Sequence, residues 1–285
     1  MAETQNAQLA VIIPANNEAA YIGGCLDALL SRSAGARISI VVSANMCADN
    51  TVEIAKSYAS AFEGRGDRLV VIDSPIAGKT AALTRAESHL DVVGAGALPR
   101  AYLDADVICS PDLITQIASA LDTSKPRYAT GVLRVMQARS RFTRAYAGFW
   151  QELPFVKGGA VGAGFFAVNS AGRARWGCFP DIISDDTYVR LHFAPAERIE
   201  VEAPYDWPMI EGLSALVRVR RRQDAGVREI AQRYPHLMAS EGKVRLGLGR
   251  FLTMAAKMPL ACVAYMFVHV LTRMGRNSET WSRGR

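Results

Sequence analysis

Residues 9–18 of the chain read LAVIIPANNE, and this stretch decides the fold. Its first part, Leu9–Ala15, is a short apolar run rich in Val and Ile, which predicts a strand that is buried on both faces. Three further runs of strand length follow along the chain: ISIVVSA at 38–44, LVVID at 69–73 and AYLDAD at 101–106. Helical patterns separate these runs, so the sequence predicts an α/β fold with a parallel sheet and right-handed crossovers.

The helical patterns are periodic in the first half of the chain and less regular in the second. In the first pattern, Ile22, Leu26, Leu29 and Leu30 fall on one apolar face. Further elements are predicted at these positions: helices at 51–62, 111–121, 139–152 and 185–193, and strands at 128–135, 164–169 and 198–203. After residue 208 the chain becomes helical and basic. We therefore expect a mostly parallel twisted sheet flanked by helices, with a helical C-terminal extension.

Composition excludes several classes of protein. The chain has 285 residues, of which 50% are hydrophobic and 21% charged, so it is not a disordered protein. Its 23 Gly follow no collagen-like period, and its five Cys include no C-x-x-C pair, which indicates reduced thiols inside the cell. The start of the chain also lacks the basic region of a secretory signal.

The net charge of +6 is divided unevenly, because residues 1–211 carry −4 and residues 212–285 carry +10. A basic end on a mildly acidic body indicates a phosphate-bearing ligand, nucleic acid or an anionic membrane surface. The basic run lacks interleaved aromatic residues and a recognisable DNA-binding module, so we expect no nucleic-acid partner.

Polar clusters follow three of the predicted strands, at residues 14–18 (PANNE), 45–51 (NMCADNT) and 104–106 (DAD). Ligands bind at the carboxyl ends of strands in open parallel sheets, so these clusters are candidates for one site. Alternation along a strand puts Asp104 and Asp106 on the same side, and such a carboxylate pair suits Mg²⁺ or Mn²⁺. Taken alone, a D-x-D sequence is more often a turn or a solvated strand end.

The segment Gly78-Lys79-Thr80 tests the chain against nucleotide-binding motifs. A P-loop requires Gly at position 73, which is Asp in this chain. The dinucleotide fingerprint G-x-G-x-x-G is also missing after the first strand, which argues against a dehydrogenase. Lys79 is still predicted at a helix start, where a cation and free N–H groups would meet a phosphate.

Two more charged clusters leave alternatives open. The segment SDDT at 184–187 precedes a predicted helix, where its acids either stabilise the N-terminus or provide a general base. Arg218, Arg220, Arg221 and Arg222 form either a solvated face or a set of planar groups for phosphate contacts.

In chain order, these clusters resemble the motifs of the inverting family 2 glycosyltransferases, which have the GT-A fold. The matching segments are VIIPANNE (11–18), ANMCADNT (44–51), GKTAAL (78–83), DAD (104–106), GAGFFAV (162–168), SDD (184–186) and RVRRRQ (218–223). They span about three quarters of the chain, from residue 9 to residue 228. Many members carry an Asp pair where this chain has Ala44-Asn45, and the Trp of the family's Q-x-x-R-W segment is absent here.

The resemblance implies roles for individual residues. Asp186 matches the catalytic base, and Asp185 replaces the Glu that precedes it in the family. Asp104 and Asp106 match the metal motif, with Asp106 favoured as the direct ligand. Binding of the nucleotide sugar is implied for Pro14, Ala15, Asn17, Glu18, Asn45, Asp49, Lys79, Asp104, Arg218, Arg221 and Arg222.

The implied reaction is a single displacement that inverts the anomeric carbon. Asp186 would take the proton of an acceptor hydroxyl about 3 Å away. Mn²⁺ or Mg²⁺ at Asp106, together with Lys79 and the Arg cluster, would neutralise the leaving nucleoside diphosphate. The donor is expected to be a UDP or GDP sugar and the acceptor a glycan or a lipid-linked molecule, for cell-envelope or lipid-linked glycan synthesis. Residues 1–211 would form the GT-A catalytic domain and residues 212–285 a basic helical extension.

The C-terminal extension contains an apolar stretch at 251–271 with basic flanks. Its uninterrupted apolar run, Met258–Val268, has 11 residues. A span of the bilayer needs about 20. Docking on an anionic membrane surface is favoured, and a core or dimer helix and a tilted span stay open. We expect a cytoplasmic protein that is peripheral at the inner face of the cell membrane.

Two other functions remain open. A sugar nucleotidyltransferase would carry a Gly-rich loop where this chain has PANNE at 14–18. A noncatalytic nucleotide-sugar-binding or scaffold protein would use the basic extension for membrane recruitment, but the acids Asp104, Asp106 and Asp186 argue against it.

Overall fold

Eight strands form the central sheet of the computed structural model, which describes residues 8–244 and 246–274. The strands are β1 (Gln8–Ala15), β2 (Arg37–Asn45), β3 (Arg68–Ser74), β4 (Arg100–Leu103), β5 (Ile108–Cys109), β6 (Tyr128–Val135), β7 (Phe165–Val168) and β8 (Arg198–Trp207). Their order across the sheet is β3-β2-β1-β4-β7-β6-β8-β5. The pairs from β3 to β4 are parallel, as is β6 with β8, whereas β7 is antiparallel to both neighbours and β5 is antiparallel to β8.

Helices cover the sheet on both sides. They are α1 (Ile22–Leu30), α2 (Thr51–Ser57), α3 (Ala59–Gly64), α4 (Lys79–Val92), α5 (Leu113–Leu121), α6 (Arg141–Gln151), α7 (Ser170–Arg173), α8 (Asp185–Leu191), α9 (Leu213–Arg233), α10 (Leu248–Lys257) and α11 (Pro259–Met274). The predicted α/β architecture, with its mostly parallel sheet and C-terminal helices, is confirmed.

Alternation along β1 divides the core into two layers. Leu9, Val11 and Ile13 point into the layer beneath α1, α5 and α6, while Ala10 and Ile12 point into the layer beneath α4 and α8. All five side chains are buried. An apolar run without polar interruptions is therefore required in this strand, as expected for a parallel sheet covered on both faces.

The structure differs from the predicted elements in several places: β5 was not predicted, and β8 continues to Trp207 instead of ending at residue 203. The helix predicted over 51–62 is two short helices, which meet at Tyr58. The strand predicted over 101–106 ends at Leu103, and the next residues form a turn closed by a hydrogen bond from the Val107 N–H to the Asp104 carbonyl at 3.1 Å. The two Asp side chains are therefore not related by strand alternation, and that part of the sequence argument is wrong.

The C-terminal helices pack on the same core as the sheet. Leu216 and Val217 of α9 and Val268 of α11 join the layer beneath α1, whereas Ile230 of α9 joins the opposite layer. Within the described residues, no helix combines the length and apolar character needed to cross a bilayer.

Candidate active site

The carboxyl ends of β1 and β4 and the start of α4 meet at one edge of the sheet. A cleft of about 220 Å³ opens there. It brings together residues from widely separated parts of the sequence: Pro14, Lys79, Leu83, Tyr102, Leu103, Asp104, Gly164, Phe166, Asp185 and Asp186. Five of the predicted site residues are among them, whereas the other predicted residues lie around this edge or on α9.

Lys79 lies between two carboxylates in the cleft. Its Nζ is 2.8 Å from Oδ1 of Asp104 and 3.2 Å from Oδ2 of Asp185. The side chains of Lys79 and Asp104 are 42% and 34% exposed, whereas that of Asp185 is 8% exposed. Among the described residues, none donates a well-directed hydrogen bond to Oδ2 of Asp185. Charge attraction at 3.2 Å is thus the contact that holds this oxygen.

These charges change one another's proton affinity. Burial raises the pKa of Asp185 to about 6, against the attraction of Lys79, and the neighbouring carboxylates of Asp186 and Asp104 raise it as well. Burial opposes the charge on Lys79, but Asp104 and Asp185 outweigh it and raise the pKa of Lys79. Lys79 therefore keeps its charge at neutral pH, where Asp185 is ionised but close to its titration range.

Asp185 and Asp186 are the first two residues of α8. Ser184 occupies the N-cap position without a side-chain hydrogen bond to the helix. Two acids in the first turn suit the positive end of the helix dipole. Oδ1 of Asp186 accepts a hydrogen bond from the Thr187 N–H at 2.6 Å, and the half-buried side chain of Asp186 lines the cleft. A carboxylate at a helix start next to a cleft is a suitable position for a general base.

The DAD turn follows β4 and is anchored to the neighbouring loop. The Asp104 N–H donates to the Gly164 carbonyl at 2.8 Å, which holds the turn against the loop that leads into β7. Asp104 reaches the cleft, and Asp106 is half-buried in the turn. The sequence predicted both carboxylates as a metal pair, and the structure brings Asp104 into contact with Lys79.

The donor set of the cleft fits a hard divalent cation. Asp104 offers a half-exposed carboxylate, and Oδ2 of Asp185 is a buried oxygen without a hydrogen-bond donor among the described residues. Oxygen ligands are those that Mg²⁺ and Mn²⁺ prefer. The described residues gather no group of three or more His, Cys, Asp or Glu side chains able to hold a metal. A cation bound in this cleft would therefore need water and ligand phosphate oxygens to complete its coordination.

Polar side chains tie together the loops that follow β1 and β2. Asn17 has a φ of +55°, and its Oδ1 accepts a hydrogen bond from the Ala48 N–H at 2.7 Å. Asp49 accepts hydrogen bonds from the N–H groups of Ala19 and Thr51, both at 3.1 Å. Burial opposes the charge on Asp49, but hydrogen bonds from Thr51 and Ala19 outweigh it and lower the pKa of Asp49. These two predicted site residues thus fix the shape of the edge.

Asn45 is buried and bridges the end of β1 to the start of α4. In the amide orientation that satisfies both neighbours, its nitrogen donates to the Ala15 carbonyl at 2.7 Å and its oxygen accepts from the Gly78 N–H at 3.1 Å. Gly78 has a φ of +107°, a conformation that favours glycine. Asn45 therefore holds the residue that precedes Lys79 and sets where α4 begins.

The Arg cluster lies on α9, and its members face different neighbours. Arg221 donates from Nη2 to the Leu271 carbonyl at 2.7 Å and from Nε to the Thr272 carbonyl at 3.3 Å. It thereby satisfies carbonyl groups of the last turn of α11. Arg220 lies 3.8 Å from Asp224 on its own helix. The predicted phosphate contact of Arg221 thus has a competing structural role.

Another side of α9 packs against the segment before α8. A Cβ atom at Gly226 would overlap Oγ of Ser184 and lie 3.0 Å from Cβ of Ser184. Arg222 precedes Gly226 by one helical turn, about 6 Å along the axis, and therefore lies on the same side of α9. Arg218 lies one further turn away and is exposed. By this spacing, Arg222 lies on the side of α9 that packs toward the segment before α8.

The sequence analysis missed the apolar part of the cleft. Leu83, Tyr102 and Phe166 line it, and the Tyr102 ring stacks on Phe166 at 4.8 Å between centroids. Apolar residues of this kind carry no chemical signal in a sequence. Gly164 lies inside the segment GAGFFAV, whose glycines are the signal that a sequence can give. The structure explains the need for glycine there: its φ is +74°, and a Cβ atom would lie 2.7 Å from Cδ1 of Trp207.

Solved structures with the same fold are glycosyltransferases. A mannosyltransferase from Pyrobaculum calidifontis, in complex with GDP-Man and Mn²⁺, superimposes with a TM-score of 0.58 at 17% identity, covering 94% of this chain and 76% of that one. Residues 1–349 of TarS from S. aureus give a TM-score of 0.54 at 12% identity, covering 94% and 92%. Glucosyl-3-phosphoglycerate synthase from Mycobacterium tuberculosis, in complex with Mn²⁺, UDP and glucosyl-3-phosphoglycerate, gives 0.53 at 15% identity, covering 80% of each chain. At these identities the likeness establishes the fold, which is the GT-A fold.

A family model assigns the sequence itself. Residues 10–164, more than half of the chain, match the model described as glycosyl transferase family 2. The chain belongs to this family, and the resemblance drawn from its motifs is confirmed. No curated protein matches the sequence. Glycosyl transfer is thus the class of reaction, with the cleft at the sheet edge as its candidate site.

Proposed function

We propose that the protein is an inverting glycosyltransferase that moves a sugar from a nucleoside diphosphate to an acceptor hydroxyl. The observation that carries this proposal is the position of Lys79 between Asp104 and Asp185, next to Asp186, in a member of family 2. A cation at this position can neutralise the charge of a leaving diphosphate, and a neighbouring carboxylate can accept the proton of an attacking hydroxyl.

In this proposal Asp186 is the general base. It removes the proton of the acceptor hydroxyl as that oxygen attacks the anomeric carbon, and the bond to the diphosphate oxygen breaks on the opposite face. Asp185 holds Lys79 in place, and Lys79 with Arg222 attracts the departing diphosphate. Bound Mn²⁺ or Mg²⁺ at Asp104 and Asp106 supplies further neutralisation of that charge.

The donor is a UDP or GDP sugar, with its nucleotide along the edge formed by Pro14, Ala15, Asn17, Glu18, Asn45 and Asp49. Complexes of the mannosyltransferase with GDP-Man and of the synthase with UDP support a nucleoside diphosphate donor in this fold. The hydrogen bonds of Asn17 and Asp49 build this edge in the free protein, so the donor meets a preformed surface. Contacts of Arg218 and Arg221 with the donor are also part of the proposal.

The acceptor is a glycan or lipid-linked molecule used in cell-envelope or lipid-linked glycan synthesis. A cytoplasmic location at the inner face of the membrane fits such an acceptor. In this proposal, residues 1–211 carry the acids that take part in the reaction, and the basic segment 212–285 holds the protein at the membrane. These statements rest on the sequence motifs and on the charge of +10 in the C-terminal segment.

The test begins with donor binding, measured by thermal shift with UDP, GDP and CMP sugars in the presence and absence of Mn²⁺. A ligand that binds the folded state raises the melting temperature as its concentration exceeds Kd. Release of nucleoside diphosphate with transfer of the sugar would support the proposal, and NMR of the anomeric proton would show inversion. Pyrophosphate release from a nucleoside triphosphate and a sugar phosphate would instead indicate a nucleotidyltransferase, and binding without transfer or hydrolysis would indicate a noncatalytic protein.

The role of Asp186 is tested with Asp186→Asn. The variant should bind the donor as the unaltered protein does and lose roughly 10²–10⁴-fold in transfer rate, the range for a general base. Asp181→Asn, which changes an exposed acid on the same segment, is the matched control and should keep the rate. Transfer by Asp186→Asn at the rate of the control would refute the assignment.

A further inference from the structure

The C-terminal helices expose an apolar face. Nine of the sixteen exposed large apolar side chains among the described residues lie between 244 and 274. On α11 the exposed fraction of five such residues is between 46% and 81%, and we call them the apolar stripe: Leu260, Val263, Phe267, Val270 and Met274. Their spacing of three and four residues keeps them on one face of the helix.

The opposite face of α11 is firmly packed. Tyr265 stacks on Phe149 of α6 at 5.0 Å and on Tyr146 at 5.7 Å, and Val268 is buried. At its C-terminal end, α11 is held by the hydrogen bonds from Arg221. The apolar stripe is therefore a fixed outer surface of the protein, because the inner face of the same helix is already used in the core.

Charge around the apolar stripe is mostly positive, because Asp224 of α9, which acts on Tyr265 and His269 of α11, lies 3.8 Å from Arg220. The sequence has no acidic residue between Glu241 and Glu279. Arg250 and Lys257 of α10 and Arg273 of α11 are exposed. A continuous apolar face next to exposed cations has the properties of helices that lie in the interface of a bilayer containing anionic lipids.

We propose that α10 and α11 dock on an anionic lipid surface, with the apolar stripe inserted among the lipids and the cations at the phosphate groups. A helix of 16 residues is about 24 Å long, shorter than the hydrocarbon core of a bilayer, so α11 lies along the surface. A second copy of the chain fits this surface poorly, because a symmetric contact would place one mostly cationic surface against another.

The experiment is cosedimentation of the full chain with two kinds of vesicle, pure phosphatidylcholine and phosphatidylcholine mixed with phosphatidylglycerol. The protein should bind the mixed vesicles and release them as salt is raised. Val263→Asp combined with Phe267→Asp should weaken this binding at least about tenfold, because two inserted apolar side chains are lost. The matched control is Val92→Asp with Val93→Asp, which changes exposed apolar residues at the end of α4 and should leave binding unchanged.

A second variant tests the charges. Lys257→Glu with Arg273→Glu should bind both kinds of vesicle equally weakly, since the preference for phosphatidylglycerol depends on these cations. Failure of the unaltered protein to bind mixed vesicles, or equal binding by the Val263/Phe267 variant, would overturn the proposal. A dimer in sedimentation velocity that the same variant dissociates would assign the apolar stripe to a second copy. Donor binding in the thermal-shift assay is independent of all these outcomes, so vesicle binding and glycosyl transfer are tested separately.

Discussion

Replacement of Lys79 by Met should make the stability of the protein depend on pH in a new range. The substitution removes the ammonium that faces Asp185 at 3.2 Å and keeps a side chain of similar length. Asp185 then remains buried without its counter-charge, and its pKa should rise from the present value of about 6.

The size of the rise follows from the distance and the exposure. Two unit charges 3.2 Å apart attract by roughly 5 kcal/mol at an effective dielectric constant of about 20. The Lys79 side chain is 42% exposed, so solvent screening reduces this to roughly 1–2 kcal/mol. Because about 1.4 kcal/mol equals one pKa unit, the pKa of Asp185 should be about 7 in the variant.

The sign of the effect is fixed by linkage. A carboxyl whose pKa is higher in the folded state than in the unfolded state, where it is about 3.9, binds protons more tightly when folded. Its contribution to the free energy of unfolding is present at low pH and is lost as pH rises through the folded pKa. The stabilisation from the protonated carboxyl of Asp185 is lost by about pH 6 in the unaltered protein, whereas in the variant it continues to fall until about pH 7. The additional destabilisation should reach about 1.4 kcal/mol above pH 7.

The assay is urea unfolding in the presence of EDTA, at about pH 5 and about pH 8, on either side of both pKa values. Lys56→Met, at an exposed position of α2, is the matched control and should show no change of its effect with pH. If Lys79→Met destabilises the protein equally at both pH values, the ion pair with Asp185 does not carry the energy assigned to it.

Three further predictions concern the edge of the sheet and the helix α9 beside it. Gly226→Ala should lower the free energy of unfolding by up to about 2 kcal/mol, because overpacking against the segment before α8 exceeds the gain of about 1 kcal/mol in helix propensity. Gly148→Ala, with open space around the glycine, should instead raise it by about 0.5–1 kcal/mol. Equal effects of the two variants in chemical denaturation would contradict this reasoning. Arg222→Ala should weaken diphosphate binding, measured by calorimetry, and keep the melting temperature. Arg221→Ala should lower the melting temperature, because its hydrogen bonds to α11 are lost. The reverse pattern would assign diphosphate binding to Arg221 and the structural role to Arg222. Asn45→Ala should cost about 1–3 kcal/mol by leaving backbone groups of β1 and α4 without partners, and unchanged urea denaturation would show that water replaces the amide.

The strands that build the sheet could be predicted because their burial is written in consecutive residues. Leu9, Val11 and Ile13 face one layer and Ala10 and Ile12 the other, so an apolar run is needed wherever a parallel strand is covered on both faces. The run at 101–106 gave no indication of where the chain leaves the sheet. That point is set by the bond from Asp104 to the Gly164 carbonyl, sixty residues further along the chain.

The candidate site was predictable in composition and less so in geometry. Asp104, Asp185, Asp186 and Lys79 could be singled out as charged residues at element ends, and the structure brings them into one cleft. The neighbour of each Arg in the cluster could not be deduced, because adjacent residues on a helix point about 100° apart and the carbonyl that Arg221 contacts lies fifty residues away.

Helix α9 has a consequence for any attempt to shorten the protein. Its residues Leu216 and Val217 fill one layer of the core, Ile230 fills the other, and Gly226 contacts the segment that leads into Asp185. A chain cut after residue 211 would therefore expose apolar surface on both sides of the sheet and leave Asp185 and Asp186 without the packing of α9. The smallest fragment that folds should retain α9 through α11, so the proposed membrane contact has to be tested by point substitutions on the outer surface instead of truncation.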